Sequence, residues 1–185
     1  MDDLHDMIDD LLSSDNPYQN EIDPNNLILI GHSRGGGIVN IKASEENRVS
    51  QLITWASVSD FGSRMGTEED IQQWKKDGVK YVMNGRTKQQ MPHHFQYYED
   101  FKANEERLTI KKAVTTLTIP QLIIHAVDDP SVSYQDALQL HSWNSQSILL
   151  PIDNSDHVFG ASHPWDTDVL PEKLETVVVK SIGFI

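Results

Sequence analysis

The most constraining feature of this chain is a junction. Leu27-Ile28-Leu29-Ile30 is apolar at every position, and Gly31-His32-Ser33-Arg34-Gly35-Gly36-Gly37 follows it without a spacer. A strand that does not alternate polar with apolar is buried on both faces, which means a parallel sheet beneath helices. The glycine-rich segment then has to turn the chain sharply into the next element, read as a helix over Ile38 to Glu45.

The rest of the chain repeats this pattern. Leu52 to Val58, Gln121 to Val127 and Ser147 to Ile152 read as further strands, with helices over Tyr134 to Trp143 and Glu172 to Ile182. Leu4, Met7, Ile8, Leu11 and Leu12 place an apolar stripe on an N-terminal helix. Alternation of strand and helix implies an α/β fold, a parallel sheet of about four strands flanked by helices. Residues 1–185 are read as a single domain. The polar stretch 62–118 breaks the rhythm and is read as a lid-like insertion. Within it, Asn84-Gly85 suggests a hairpin joining Val79–Val82 to Thr87–Gln90, and Phe95 to Leu108 suggests an amphipathic helix.

Charge narrows the function classes. The 185 residues carry 28 acidic and 15 basic side chains, a formal net charge of −13. Such a field repels nucleic acid and anionic membranes, so neither is expected as a partner. The absence of cysteine excludes disulfides, thiolate metal sites and a thiol nucleophile. No apolar run approaches the roughly 18 residues that a bilayer requires. The first residues are acidic where a secretory signal is basic, and the expectation is a cytoplasmic protein.

Gly31-His32-Ser33-Arg34-Gly35 fits G-x-S-x-G, and here it stands between a buried-type strand and a helix. In that setting the motif is a nucleophile elbow, a turn so tight that the glycines flanking the serine must lack bulk. The turn lifts the Ser33 hydroxyl above the sheet and aims the backbone N–H of Arg34 at a developing oxyanion. Serine needs a base. His157 follows the fourth strand, at the carboxyl edge where function gathers in open α/β sheets. Asp128 and Asp129 follow the third strand at the same edge, and either supplies the carboxylate that orients the base. Asp60, after the second strand, is a further candidate.

Other residues have plainer readings. His32 packs beside the elbow, and His125 is a satisfied core histidine. The side chain of Arg34 is at the surface or in a salt bridge. Trp143 and Trp165 pack. Tyr81, Met91, Phe95 and Tyr98 pack the lid or line a pocket. His93, His94 and His163 lack a carboxylate at ligand spacing, so no metal is expected. A dinucleotide fingerprint would need glycine at Ser33, and a P-loop would need Gly-Lys-Ser/Thr, so phosphate binding by the turn is excluded.

Three ordered segments carry a resemblance: Leu27 to Gly37, His125-Ala126-Val127-Asp128-Asp129-Pro130 and Ser155-Asp156-His157-Val158-Phe159-Gly160. Together they resemble the signature segments of the α/β-hydrolase superfamily, in its dienelactone-hydrolase-like and prolyl-oligopeptidase-like esterase branch. The resemblance implies a serine hydrolase of carboxylic esters or related acyl bonds, without a cofactor. It implies Ser33 as nucleophile, His157 as base and Asp129 as acid, with Asp128 and Asp60 as alternatives.

The chain also departs from that pattern. Ala126 stands where such acid loops commonly have glycine. No His-Gly segment for the second oxyanion donor precedes Ser33, and the nucleophile strand, normally central, would have an open edge. The expectation is a C-terminal half of a longer hydrolase. The alternatives are edge pairing into a homo-oligomer, or a catalytically impaired module that binds rather than cleaves.

Overall fold

The computed structural model describes residues 1–84 and 87–185. In chain order its elements are α1 (Asp2–Leu11), β1 (Leu27–His32), α2 (Arg34–Glu45), β2 (Val49–Trp55), α3 (Glu68–Asp77), β3 (Val79–Met83), β4 (Gln90–His94), α4 (Gln96–Ala103), α5 (Ile110–Thr116), β5 (Gln121–Ala126), α6 (Tyr134–Trp143), β6 (Ile148–Ile152) and α7 (Glu172–Ile182).

Four strands form one parallel sheet in the order β1-β2-β5-β6, and β3 and β4 form a separate antiparallel pair. The register aligns the strand ends: His32 lies opposite Trp55, Trp55 opposite Ile124, and Ala126 opposite Ile152. Parallel strands in register deliver their following loops to one edge, which gathers Ser33, Asp129 and His157 from distant stretches of chain.

Both faces of the sheet are covered, as the non-alternating strands require. On one face Ile123 packs with Ile41 of α2, Ile110 and Val114 of α5 and Leu140 of α6. On the other, Ile53, Ile124 and Ile152 pack with Phe159 and Val177 of α7. Leu52, Ile53, Ile123 and Ile124 are fully buried, each stabilising the fold by about 1.5–3 kcal/mol of apolar transfer. Helix α1 adds Ile8 to a cluster with Leu29, Val39 and Leu52. Its stripe is only partly used, because Met7 remains exposed.

Several element boundaries differ from the sequence reading. Helix α2 begins at Arg34, not after the glycines, because Ser33 alone makes the turn with φ 57°. Strand β2 starts earlier, at Val49, and ends at Trp55, where Ala56 adopts φ 47° and sends the chain out of the sheet. Strand β4 runs over Gln90–His94 rather than Thr87–Gln90, and Gly85 of the expected turn lies outside the described residues. The helix expected over Phe95 to Leu108 ends at Ala103, and α5 follows as a separate helix against α2 and α6.

On its outer side β1 pairs with no strand among the described residues, and Ile30 is 48% exposed there.

Candidate active site

The elbow is built by close approach of backbone. A Cβ on Gly31 would lie 2.5 Å from the carbonyl oxygen of Gly35 and 2.5 Å from Val39 Cγ2. The sequence reading assigned the same need to Gly35, and the structure corrects it: a Cβ there meets nothing within 4 Å. The crowded positions are Gly36, 2.4 Å from Ser57 Cβ, and Gly37, 2.7 Å from Phe61 and Ile110. These two let the first turn of α2 lie against the loop after β2. Ser33 is the strained residue, in the left-handed region that side chains rarely adopt.

Ser33 Oγ lies 2.9 Å from His157 Nε2, and His157 Nδ1 lies 2.7 Å from Asp129 Oδ2. Burial pushes the Asp129 carboxyl up. The hydrogen bonds it accepts from His157 and from the N–H groups of Val132 and Ser131 outweigh that and hold it below the usual carboxylate range. An ionised carboxylate can only accept, so Nδ1 of His157 carries the proton and Nε2 is left to accept from the Ser33 hydroxyl. The side chain of Asp129 is fully buried and that of His157 is 18% exposed, so solvent reaches the imidazole and not the acid.

The other two acids sit elsewhere. Asp60 accepts from the N–H groups of Gly62 and Ser63 in its own loop. Asp128 is exposed. Arg34 is the first residue of α2, so its N–H has no carbonyl four residues back within the helix.

Two histidines do more than the sequence reading allowed. His32 Nε2 lies 2.8 Å from the backbone oxygen of His157, and the two rings are 4.6 Å apart. His125 donates from Nε2 to the Val132 carbonyl at 2.9 Å and lies 3.5 Å from Asp129 Oδ2. It is only half satisfied: Nδ1 is buried without a partner among the described residues. Burial holds its pKa below the ordinary value, so it stays neutral behind the acid. The spacing His125-x-x-x-Asp129 was the available signal: four residues across a strand end return the chain on itself.

The side chain of Arg34 is exposed, as expected, and lies over the ring of Tyr97, 5.5 Å from its centroid. Phe95 and Tyr98 pack around Trp74, while Tyr81 and Met91 are exposed. Trp143 packs against the core, but Trp165, expected to pack, is 40% exposed. Among the described residues no group of three or more His, Asp or Glu is placed to hold a metal ion, and no helix is long and apolar enough to cross a membrane.

No protein-family model matches the chain, and no curated protein sequence matches it. Solved structures do. A putative hydrolase from Agrobacterium vitis S4 aligns over 88% of this chain and 62% of its own, with a TM-score of 0.65 and 21% identity. The Paleococcus ferrophilus monoacylglycerol lipase aligns over 100% of this chain and 74% of its own, with a TM-score of 0.67 and 13% identity. The fold is that of the α/β hydrolases.

The esterase domain of a Rhodothermus marinus protein is a further structure of this kind, with a TM-score of 0.58 and 20% identity over 86% of this chain. The chain spans about three fifths of the length of the Rhodothermus and Agrobacterium structures, 61% and 62%. It therefore corresponds to a part of the α/β-hydrolase fold.

Proposed function

We propose that the protein is a serine hydrolase of carboxylic esters or related acyl bonds. One observation carries this reading: the unbroken relay from Ser33 Oγ to His157 Nε2 at 2.9 Å and from His157 Nδ1 to Asp129 Oδ2 at 2.7 Å.

Ser33 Oγ attacks the carbonyl carbon as its proton passes to His157 Nε2. Asp129 holds the imidazole in the tautomer that accepts this proton and stabilises the imidazolium that results. The carbonyl oxygen becomes an oxyanion, to which the Arg34 N–H donates at the positive end of α2. Collapse of the tetrahedral intermediate breaks the ester C–O bond, and His157 returns the proton to the leaving alcohol. Water, deprotonated by His157, then attacks the acyl carbon; the bond to Ser33 Oγ breaks as His157 returns the proton to that oxygen, and the acid is released. From the 62–118 insertion, β3, β4 and α4 supply walls beside Arg34 and set which acyl group reaches Ser33.

The test is hydrolysis of 4-nitrophenyl butyrate. The chain is expected to release 4-nitrophenolate, with kcat reduced about 10³-fold or more in Ser33→Ala and in His157→Ala. Equal rates in Ser33→Ala and the parent would reject the proposal.

A further inference from the structure

Next to the elbow lies a cleft whose charge opposes that of the rest of the chain. Its volume is about 180 Å³, and its wall includes Arg34, Arg64, Lys80, His93 and Tyr97. Acidic side chains outnumber basic ones by 28 to 15 in the chain, yet among the described residues no Asp or Glu lines this cleft.

The three cations are held in place by uncharged partners. Arg34 stacks on Tyr97, Arg64 donates to the Ser131 carbonyl at 3.3 Å, and Lys80 donates to the Met65 carbonyl at 3.0 Å. Lys80 Nζ also sits 3.8 Å above the Trp74 ring. Cation–π and carbonyl contacts orient a positive head without neutralising it.

Three carboxylates around the cleft make their hydrogen bonds outside it, although Asp70 still acts on Lys80 through its charge. Asp70 accepts from the N–H and hydroxyl of Thr67 in the cap of α3. Asp60 is bonded within its own loop. Asp100, which shares the neighbouring cavity with Arg34, accepts from Asn104. Desolvation lowers the pKa of Lys80 and of His93; the charge of Asp70 works against this at Lys80, and the charge of Arg34 lowers both, so the cations feel one another across the cleft. Gathering positive charge in a half-enclosed site is unfavourable unless an anion joins it.

We infer that this cleft receives a carboxylate of the substrate, so that the preferred ester or acyl compound carries a free carboxylate on the portion that lies past Arg34. The inference rests on Ser33 being the nucleophile, because Arg34, which lines the cleft, directly follows it in the chain. Arginine forks match carboxylate geometry and Lys80 adds a point charge, a combination that selects an anion over a neutral isostere.

The test is calorimetric titration of the chain with glutarate and with glutaramide, its neutral counterpart. Glutarate is expected to bind and glutaramide not. Arg64→Gln, an exposed position, and Lys80→Met, which keeps the stem over Trp74, are each expected to weaken glutarate about tenfold, the factor of one charge-assisted hydrogen bond. Equal binding of the two compounds, no glutarate binding, or glutarate affinity unchanged in both variants would overturn the inference. Hydrolysis of mono-4-nitrophenyl adipate and of its methyl ester separates the two proposals. Ser33-dependent cleavage of both at equal kcat/KM removes the carboxylate site and leaves the hydrolase. Glutarate binding with neither ester cleaved leaves the anion site and removes the hydrolase.

Discussion

The imidazoles of His32 and His157 lie 4.6 Å apart, tilted by 42°, and His32 Nε2 reaches the backbone oxygen of His157 at 2.8 Å. The residue before Ser33 thus holds the loop that carries His157. That loop has two non-glycine residues with positive φ, Asn154 at 52° and Phe159 at 56°. A strained loop keeps its shape only when its surroundings over-determine it.

Replacing His32 removes this tie. His32→Phe keeps a ring beside His157 but has no donor, and is expected to lower kcat/KM by about tenfold to hundredfold, the scale of a small misplacement of a catalytic group. His32→Gln, which can donate to the same carbonyl, is expected to recover part of that loss. Steady-state kinetics on both variants checks this, and equal activity of His32→Phe and the parent would remove the role.

Desolvation lowers the pKa of His32. Its neutral form, which donates from Nε2 and leaves no second positive charge beside His157, is therefore the form near neutral pH. Below its lowered pKa it protonates and adds a charge beside the ring that must itself become cationic. The acid side of the rate profile is expected to be less steep in His32→Gln than in the parent, measured with a neutral ester between pH 4 and 7.

Of the three acids considered, Asp129 alone reaches His157. Asp129→Asn reverses the donor–acceptor match at Nδ1 and favours the wrong tautomer, with an expected loss of about 10⁴ in kcat. Asp128→Asn and Asp60→Asn are expected to retain activity within about twofold, since neither contacts the imidazole. Comparing kcat of the three variants decides the assignment.

The glycines make different demands. Gly31→Ala drives a Cβ to 2.5 Å from backbone, and Gly36→Ala drives one to 2.4 Å from Ser57. Each is expected to destabilise by about 1–3 kcal/mol, as overpacking does, or to distort the elbow. Gly35→Ala meets nothing within 4 Å and is expected to be neutral or slightly stabilising, since alanine favours a helix. Urea unfolding of the three variants checks the order.

A second charged cluster ties α1 to α2 and to the loop that follows it. Arg48 donates to Glu46 at 2.7 Å and pairs with Asp9 of α1 at 2.6 Å, while buried Lys42 lies 3.7 Å from Glu46. The hydrogen bonds from Arg48 hold Glu46 at about 2, against the desolvation that pushes it up. A carboxyl held below its unfolded value stabilises the fold fully above its ordinary value of 4.5. That stability is lost as pH falls from there toward about 2. Glu46→Gln leaves buried Lys42 without its carboxylate, with only His5 Nδ1 at 3.0 Å to accept from it. It is expected to lower Tm at pH 7 by roughly 5 °C or more and to flatten the decline below pH 4.5. Thermal unfolding followed from pH 3 to 7 checks both.

The parallel sheet and the edge that bears the site were legible in the sequence because they depend on local pattern: four apolar runs, each followed by a polar loop. The approach of Ser33, Asp129 and His157 follows from that register, since in-register parallel strands leave little choice of edge. Less legible were features that depend on neighbours remote in sequence. Gly35 and Gly36 look alike in the motif, and only Ser57 distinguishes them. Helix α3 carried a signal that went unread, the Thr67-x-x-Asp70 capping box with Gly78 closing the helix at φ 73°. The stack of Arg34 on Tyr97 joins residues 63 positions apart, and no local pattern encodes it.

The most direct measurement of the central claim is the site of covalent modification by a fluorophosphonate, read by mass spectrometry of the digested chain. The expected result is a single phosphonyl adduct on Ser33, absent from Ser33→Ala and formed far more slowly in His157→Ala. Undiminished labelling of Ser33→Ala, or an adduct mapped to another serine, would contradict it.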